Sequence, residues 1–308
     1  MTQNIHNVKA STLYKREHKA DYGKEKIEIL YEDKDIIVIE KSSGLLSVPY
    51  PGSKVRTALS ILEKIMRAKG TFSQNHRPFV VHRLDRDTSG VMMFALNEQV
   101  QKKIMENWQK MVTERLYHAV AENPRDKNKI LLDDEGTINL PLAQNAYHVG
   151  YVKNKSDDNA KTVNAVTNYK ILLRGETHTL FELSLETGKK NQIRAHLASL
   201  GYPLAGDENY RAKTDPFGRL ALHARTLAFV HPITGKKMRF EVPEDKAWDE
   251  YVKKGESNPK TPIWYDKKFS EEIKRKSEKI QSNGERRLPK KVRSHMDFIS
   301  QGKIFGRS

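Results

Sequence analysis

The chain has 308 residues, 55 Lys+Arg against 39 Asp+Glu for a formal charge of +16, and no cysteine. A surplus of that size favours a polyanionic partner, because cations that meet phosphates release the counterions condensed on them. The lack of cysteine excludes disulfides, thiolate zinc or iron–sulfur centres and thiol nucleophiles, and it agrees with a reducing compartment.

Residues 1–26 carry 6 Lys+Arg against 3 Asp+Glu and read as a polar basic extension without an apolar leader. No later stretch approaches the ~18 apolar residues of a membrane span, so the expectation is a cytoplasmic protein. IEIL and IIVIE flank Glu32-Asp33-Lys34-Asp35, which predicts a hairpin over roughly 27–40. Behind Thr57, apolar residues at Ala58, Ile61, Leu62, Ile65 and Met66 have helical spacing, and Gly70 closes the run. VMMFAL (91–96) reads as a buried strand, and Asn97 then caps a helix toward Met111.

RLYHAVAE (115–122) predicts another strand, and in 179–186 Phe181, Leu183 and Leu185 share one face. Ile193, Leu197 and Leu200 mark a short helix ending at Gly201. LALHARTLAFVHPITGKKMRFEV reads as two strands, a Pro/Gly turn and a third strand. Residues 255–308 hold 14 Lys+Arg against 7 Asp+Glu and read as a basic tail, partly helical or disordered, able to touch phosphates. The body between, 27–254, is expected to be one α/β unit of the α+β kind: a mixed, largely antiparallel sheet with flanking helices. No βαβ alternation with a glycine-rich phosphate loop is visible, which argues against a nucleotide cofactor.

The most informative stretch is His82-Arg83-Leu84-Asp85-Arg86-Asp87-Thr88-Ser89-Gly90, between apolar FVV and the VMMFAL strand. Thr-Ser-Gly is turn chemistry, so Asp85 is placed in a loop at a strand end, where reactive groups are displayed. Two flanking arginines favour its charged form, which suits nucleophilic attack better than acid catalysis. On residue types alone, the same string also reads as an arginine–carboxylate network that pins a loop.

HRLDRDTSG resembles the H-R-L-D-x-x-T-S-G signature of the RluA-type RNA pseudouridine synthases. The resemblance extends over roughly 27–245. EDKDIIVIEKSSGLLSVP (32–49) is similar to the family's hairpin leading into Lys-Pro-x-Gly-Leu, with Ser42 in the place of proline. RLYHA (115–119) and LETGKKNQIRAHLASLGYPLAGDENY (185–210) resemble two further motifs. It implies the pseudouridine synthase catalytic fold, no cofactor and no metal. It implies Asp85 as nucleophile, Tyr117 against the target base and Arg194 paired with Asp85. Substrate or RNA contacts are implied for His82, Arg83, Arg86, Thr88, Lys189, Asn191 and Gln192.

Lys189 and Asn191 depart from the usual arginine and histidine, which points to an effect on RNA contact or target choice. Ser42 in place of proline is expected to loosen the turn after Lys41. By pattern alone Tyr117 also reads as a core strand residue; as a proton-exchanging group it would need cationic neighbours to lower its ordinary value near 10. The short N-terminus holds no S4-type module, so the chain resembles the single-domain members, acting on ribosomal RNA, transfer RNA or both, as a monomer. The rival reading is a non-catalytic RNA-binding or ribosome-assembly factor on the same fold. A glycosidase built on Asp85 and Asp87 is a third and weaker reading, since loop residues two apart seldom flank one bond.

Overall fold

The computed structural model describes residues 26–50, 52, 55–124, 131–145, 149–153 and 161–255. The readings for the two terminal extensions fall almost wholly outside these residues. The predicted hairpin forms as β1 (Ile27–Glu32) and β2 (Ile36–Lys41), antiparallel. Helix α1 (Ala58–Ala68) starts at Thr57, whose side chain accepts from the Ser60 amide while the Ser60 hydroxyl accepts from the Thr57 amide. This reciprocal cap satisfies two orphan donors. A two-residue strand β3 (Phe79–Val80) precedes β4 (Ser89–Ala95), and α2 (Glu98–Met111) follows behind an Asn97 cap.

β5 (Val112–Glu122) begins where α2 ends and is longer than its sequence suggests. Next come β6 (Glu135–Asn139), β7 (Leu142–Gln144), β8 (Gly150–Val152), β9 (Val166–Arg174) and β10 (His178–Leu185). Then follow α3 (Gln192–Ser199), a short 3-10 turn, β11 (Leu222–Val230), β12 (Lys237–Glu241) and α4 (Ala247–Lys254). The main sheet runs β1-β2-β4-β11-β5-β10-β9-β6, with β3 on β4 and β12 on β11, and β7 and β8 make a separate pair. LALHARTLAFV is thus one strand rather than two. The register of β11 against β5 slips between Ala224 and Thr226, and this bulge interrupts the alternation along the sequence.

Helices cover both faces. Ile37, Ile39, Met92 and Phe94 pack under α1, while Ile36, Val38, Val91 and Met93 pack on the other side against α2. In the second half Ala119, Ala121, Phe181 and Leu183 meet α3, and Val120 and Leu180 meet Trp248 and Val252 of α4. Burial on both faces explains why β4 reads as an unbroken apolar run.

The halves join through a parallel contact of two residue pairs, Ser89 with His223 and Gly90 with Ala224. Gly90 has φ +116, and a Cβ there would stand 2.1 Å from the Ala224 carbonyl oxygen. Ala224 in turn lies opposite Tyr117 of β5. Beyond this seam, Val91 of β4 and Thr226 and Leu227 of β11 line a cavity. The loop carrying Asp85 enters β4 at the same place.

Candidate active site

The cavity has a volume of about 530 Å3, within the range of ligand pockets. Asp85, Thr88, Tyr117, Asn191 and Arg194 all line it, as do His82, Arg83, Lys189 and Gln192. The segment after β2 holds the Asp85 loop in place. Lys41, fully buried, donates from Nζ to the carbonyls of Ser42 (2.9 Å), Leu45 (2.7 Å) and Arg86 (3.0 Å). Ser47 Oγ donates to the Leu84 carbonyl and accepts from the Leu84 amide, Ser43 Oγ donates to the Asp87 carbonyl, and the Gly44 amide donates to the Arg86 carbonyl. Burial brings the Lys41 ammonium down to about 7, opposed by Asp87 and reinforced by Arg219.

Ser42 does not loosen its turn. Its amide donates to the Lys26 carbonyl and its hydroxyl accepts from the Lys26 amide (2.8 Å), bonds that extend the β1–β2 hairpin and that proline, with neither N–H nor hydroxyl, could not make.

One oxygen of half-buried Asp85, Oδ2, accepts from Asn191 Nδ2 at 2.8 Å. Oδ1 takes no hydrogen bond among the described residues. The expected partner, Arg194, is instead forked onto Asp207, with Nε and Nη2 each 2.7 Å from a carboxylate oxygen and both side chains buried. Burial opposes the charge of Arg194, but Asp207 more than offsets it and Asp85 adds a smaller attraction, so the guanidinium is held above its ordinary range. The arginine therefore acts on Asp85 through its field rather than through a bond.

Two other residues expected to contact RNA have partners within the protein. Gln192 is buried, and its amide is used up within the protein: Oε1 accepts from Thr187 Oγ1 and the Lys189 amide, and Nε2 donates to the Val166 carbonyl and Thr167 Oγ1. It fastens the loop before α3 to β9 and has no donor left for RNA. Asn191, expected to tune RNA contact or target choice, is bonded to Asp85.

Burial, helped by Arg115, brings His82 down to about 3. Its Nε2 accepts from the Met93 amide at 2.9 Å, and its ring lies against Trp108, so it meets the cavity as a neutral ring. Burial raises the Tyr117 hydroxyl above its ordinary 10, Asp85 adds to that, and the pull of Arg115 is too weak to reverse it. Tyr117 thus stays protonated and offers a hydrogen-bond donor rather than a base.

Thr88 is buried, and its amide closes the turn on the Asp85 carbonyl. Arg86 forks onto Asp87, so this second carboxylate is engaged outside the cavity lining, contrary to a paired-carboxylate glycosidase. Arg83 and Lys189 are exposed at the cavity, and their side chains make no hydrogen bond or ion pair among the described residues.

Elsewhere, Asp33, Asp35 and His231 bring possible metal ligands within 4.8 Å of one another. Asp33 already accepts from the Asp35 and Ile36 amides, the Tyr31 hydroxyl and His231 Nε2. That trio is a lock for the β1–β2 turn.

A family model described as RNA pseudouridylate synthase matches residues 35–199, from β2 through α3. The chain belongs to this family. It is 36% identical over 229 residues to the uncharacterized RNA pseudouridine synthase YlyB of Bacillus subtilis (strain 168), covering 72% of this chain and 71% of that one. It is 34% identical to the ribosomal large subunit pseudouridine synthase D of Pseudomonas aeruginosa, over 72% of this chain and 70% of that one. Among solved structures, human RNA pseudouridylate synthase domain containing 1 aligns with TM-score 0.57 at 21% identity, over 78% of this chain and 91% of that one, which shows a common fold. The protein is an RNA pseudouridine synthase of the RluA type, an isomerase acting on RNA.

As a pseudouridine synthase it has site residues that motif reading passed over. Asp207 stands within the 185–210 stretch that resembles a family motif, but an Asp in a glycine-containing loop gives no hint of burial or of its pairing with Arg194. Trp108 and Met105 of α2 also line the cavity, but helical spacing alone assigns Trp108 to the core. Lys41 was visible as a motif residue, and only its burial reveals that it holds the Asp85 loop.

Proposed function

We propose that Asp85 is the nucleophilic carboxylate of the isomerisation and that the cavity beside it receives an extruded uridine. The observation that carries this reading is the Asp85 carboxylate itself: one oxygen is held by Asn191 and the other takes no bond among the described residues, at the wall of a cavity large enough for a nucleoside. Pseudouridine formation breaks the N1–C1′ bond, turns the uracil and rejoins it through C5, whose hydrogen leaves as a proton. Nothing is oxidised or reduced. Attack at C1′, addition to C6 and stabilisation of a departing glycosyl cation all use an anionic carboxylate at the sugar–base junction.

Tyr117, kept protonated by burial, is suited to lie against the base and donate to it. Arg194 contributes positive potential from its fixed seat on Asp207. Extruding a base costs a few kcal/mol, which phosphate contacts offset. Arg83, Arg86, Lys189 and Lys190 are exposed cations near Asp85 suited to that task. We assign catalysis to residues 27–254 of a monomer, and contacts to RNA phosphates to the basic stretch 255–308. Ribosomal RNA is the first substrate to test, because relatives at 34% identity carry the name ribosomal large subunit pseudouridine synthase D.

Cells lacking the gene should miss at least one pseudouridine in ribosomal or transfer RNA when both pools are mapped by mass spectrometry. Wild type should restore it and Asp85→Asn should not. Restoration by Asp85→Asn would overturn the role given to Asp85, and a change confined to transfer RNA would overturn the ribosomal assignment.

A further inference from the structure

Asn191 has an unusual backbone for a residue with a side chain. Its φ of 57 and ψ of 20 put it in the left-handed region, immediately before α3. Among residues bearing a Cβ, Asn, Asp and His enter this region most readily. Asparagine commonly caps a helix with its side-chain oxygen, yet Asn191 makes no such bond. The loop before the helix is tied down instead by Gln192, as described above. The Asn191 amide is thereby released from a local duty and faces across the cavity to Asp85, 106 residues away in sequence, at 2.8 Å. A carboxylate only accepts, so it is the NH2 end of the amide that must face it.

The bond differs from the one an arginine would make. A guanidinium fork engages both oxygens of a carboxylate, as Arg194 does with Asp207. A single amide N–H engages one. Because the fork of Arg194 is already filled, Asp85 is oriented by a neutral donor, and among the described residues Oδ1 is left unbonded. We infer that Asn191 is a positioning residue for the reaction: it fixes Asp85 by Oδ2 so that Oδ1 is presented to the uridine. Position 191 makes two demands together, a left-handed backbone and a hydrogen-bond donor aimed at Asp85. Glycine meets only the first. Aspartate meets the first and reverses the second, and histidine meets both.

The inference rests on the nucleophilic role proposed for Asp85, and four variants of the full chain separate the two. The readouts are single-turnover tritium release from C5-labelled ribosomal RNA, RNA affinity and the thermal midpoint. Asn191→Gly keeps the backbone and removes the donor; it should lower the maximal rate by roughly tenfold to a hundredfold, the loss expected for one hydrogen bond to a charged group. RNA affinity and the thermal midpoint should stay close to wild type.

Asn191→Asp places a second carboxylate against Asp85, so its rate should fall at least as far. The acid limb of its pH–rate profile should move upward, since like charges at one site oppose ionisation. Asn191→His should retain most of the rate. A wild-type rate in Asn191→Gly overturns the inference, as does a fall in rate matched by equal falls in RNA affinity and thermal midpoint, which marks a purely structural role. Asp85→Ala is run alongside: activity in that variant sinks the reading of Asp85 itself, whatever Asn191 does.

Discussion

His82 and His223 show how individual side chains around the seam couple the fold to pH. His223 Nε2 faces the Val242 carbonyl at 2.9 Å and so carries the hydrogen, leaving Nδ1 to accept from Ser89 Oγ at 2.7 Å. Ser89 Oγ accepts in turn from Arg219, which ties the parallel junction together. Burial is the main cause in both rings, with Arg115 adding at His82, and the folded-state values fall from 6.5 to about 3 for His82 and about 4 for His223.

Both values are depressed, so below pH 6.5 the unfolded chain takes up protons that the folded chain refuses. This contribution to stability is full above pH 6.5 and is lost as pH falls toward 4 and 3. At pH 5 the loss is roughly 2 kcal/mol per ring. Urea unfolding at pH 7.5 and pH 5 should show a lower midpoint at pH 5, and His223→Asn should reduce the difference. Equal midpoints would contradict buried neutral rings.

At the scale of elements, the segment from Lys41 to Ser47 serves mainly as a clamp on the loop that carries Asp85. Ser47 satisfies both the amide and the carbonyl of buried Leu84. Ser47→Ala orphans both groups, and at about 1–3 kcal/mol for each a loss of roughly 2–6 kcal/mol is expected in urea unfolding. The rate of isomerisation should fall with it, because the loop is released. Full activity together with lowered stability would show that the clamp serves the fold alone.

Elements with strong local signals were legible in the sequence: Thr57 and Asn97 as caps, the buried run of β4, the alternation in β10. β11 read as two strands because its bulge lies between Ala224 and Thr226 and breaks the alternation. β6 to β9 gave no usable pattern; β6 and β9 have half-exposed faces, and β7 and β8 are three residues each, while α4 is marked only by Trp248, Tyr251 and Val252 at helical spacing over eight residues. The Asp85 loop was legible because its residues are contiguous. Which group meets Asp85 was not: both Asn191 and the Arg194–Asp207 pair are tertiary facts, decided by how α3 docks on the sheet.

At the scale of the whole molecule, two covered half-sheets meet at a two-residue parallel seam, and the cavity opens where they part. Gly90 is the residue without which the halves cannot close. Much of the charge surplus lies beyond this body, 14 Lys+Arg against 7 Asp+Glu in residues 255–308. Removing that stretch should weaken RNA binding and flatten its dependence on salt, while activity on a saturating short substrate is kept. An unchanged salt slope would exclude it from RNA contact.

The most direct test of the central claim is tritium release from RNA labelled at uracil C5, since C5 must lose its hydrogen to become the glycosidic carbon. Ribosomal and transfer RNA from cells lacking the gene would be offered to wild type and to Asp85→Ala, with RNA binding measured in parallel. The account predicts release by wild type, none by Asp85→Ala, and binding by both. Release by both, or by neither while binding persists, would contradict it; the second result would favour an RNA-binding assembly factor on the same fold.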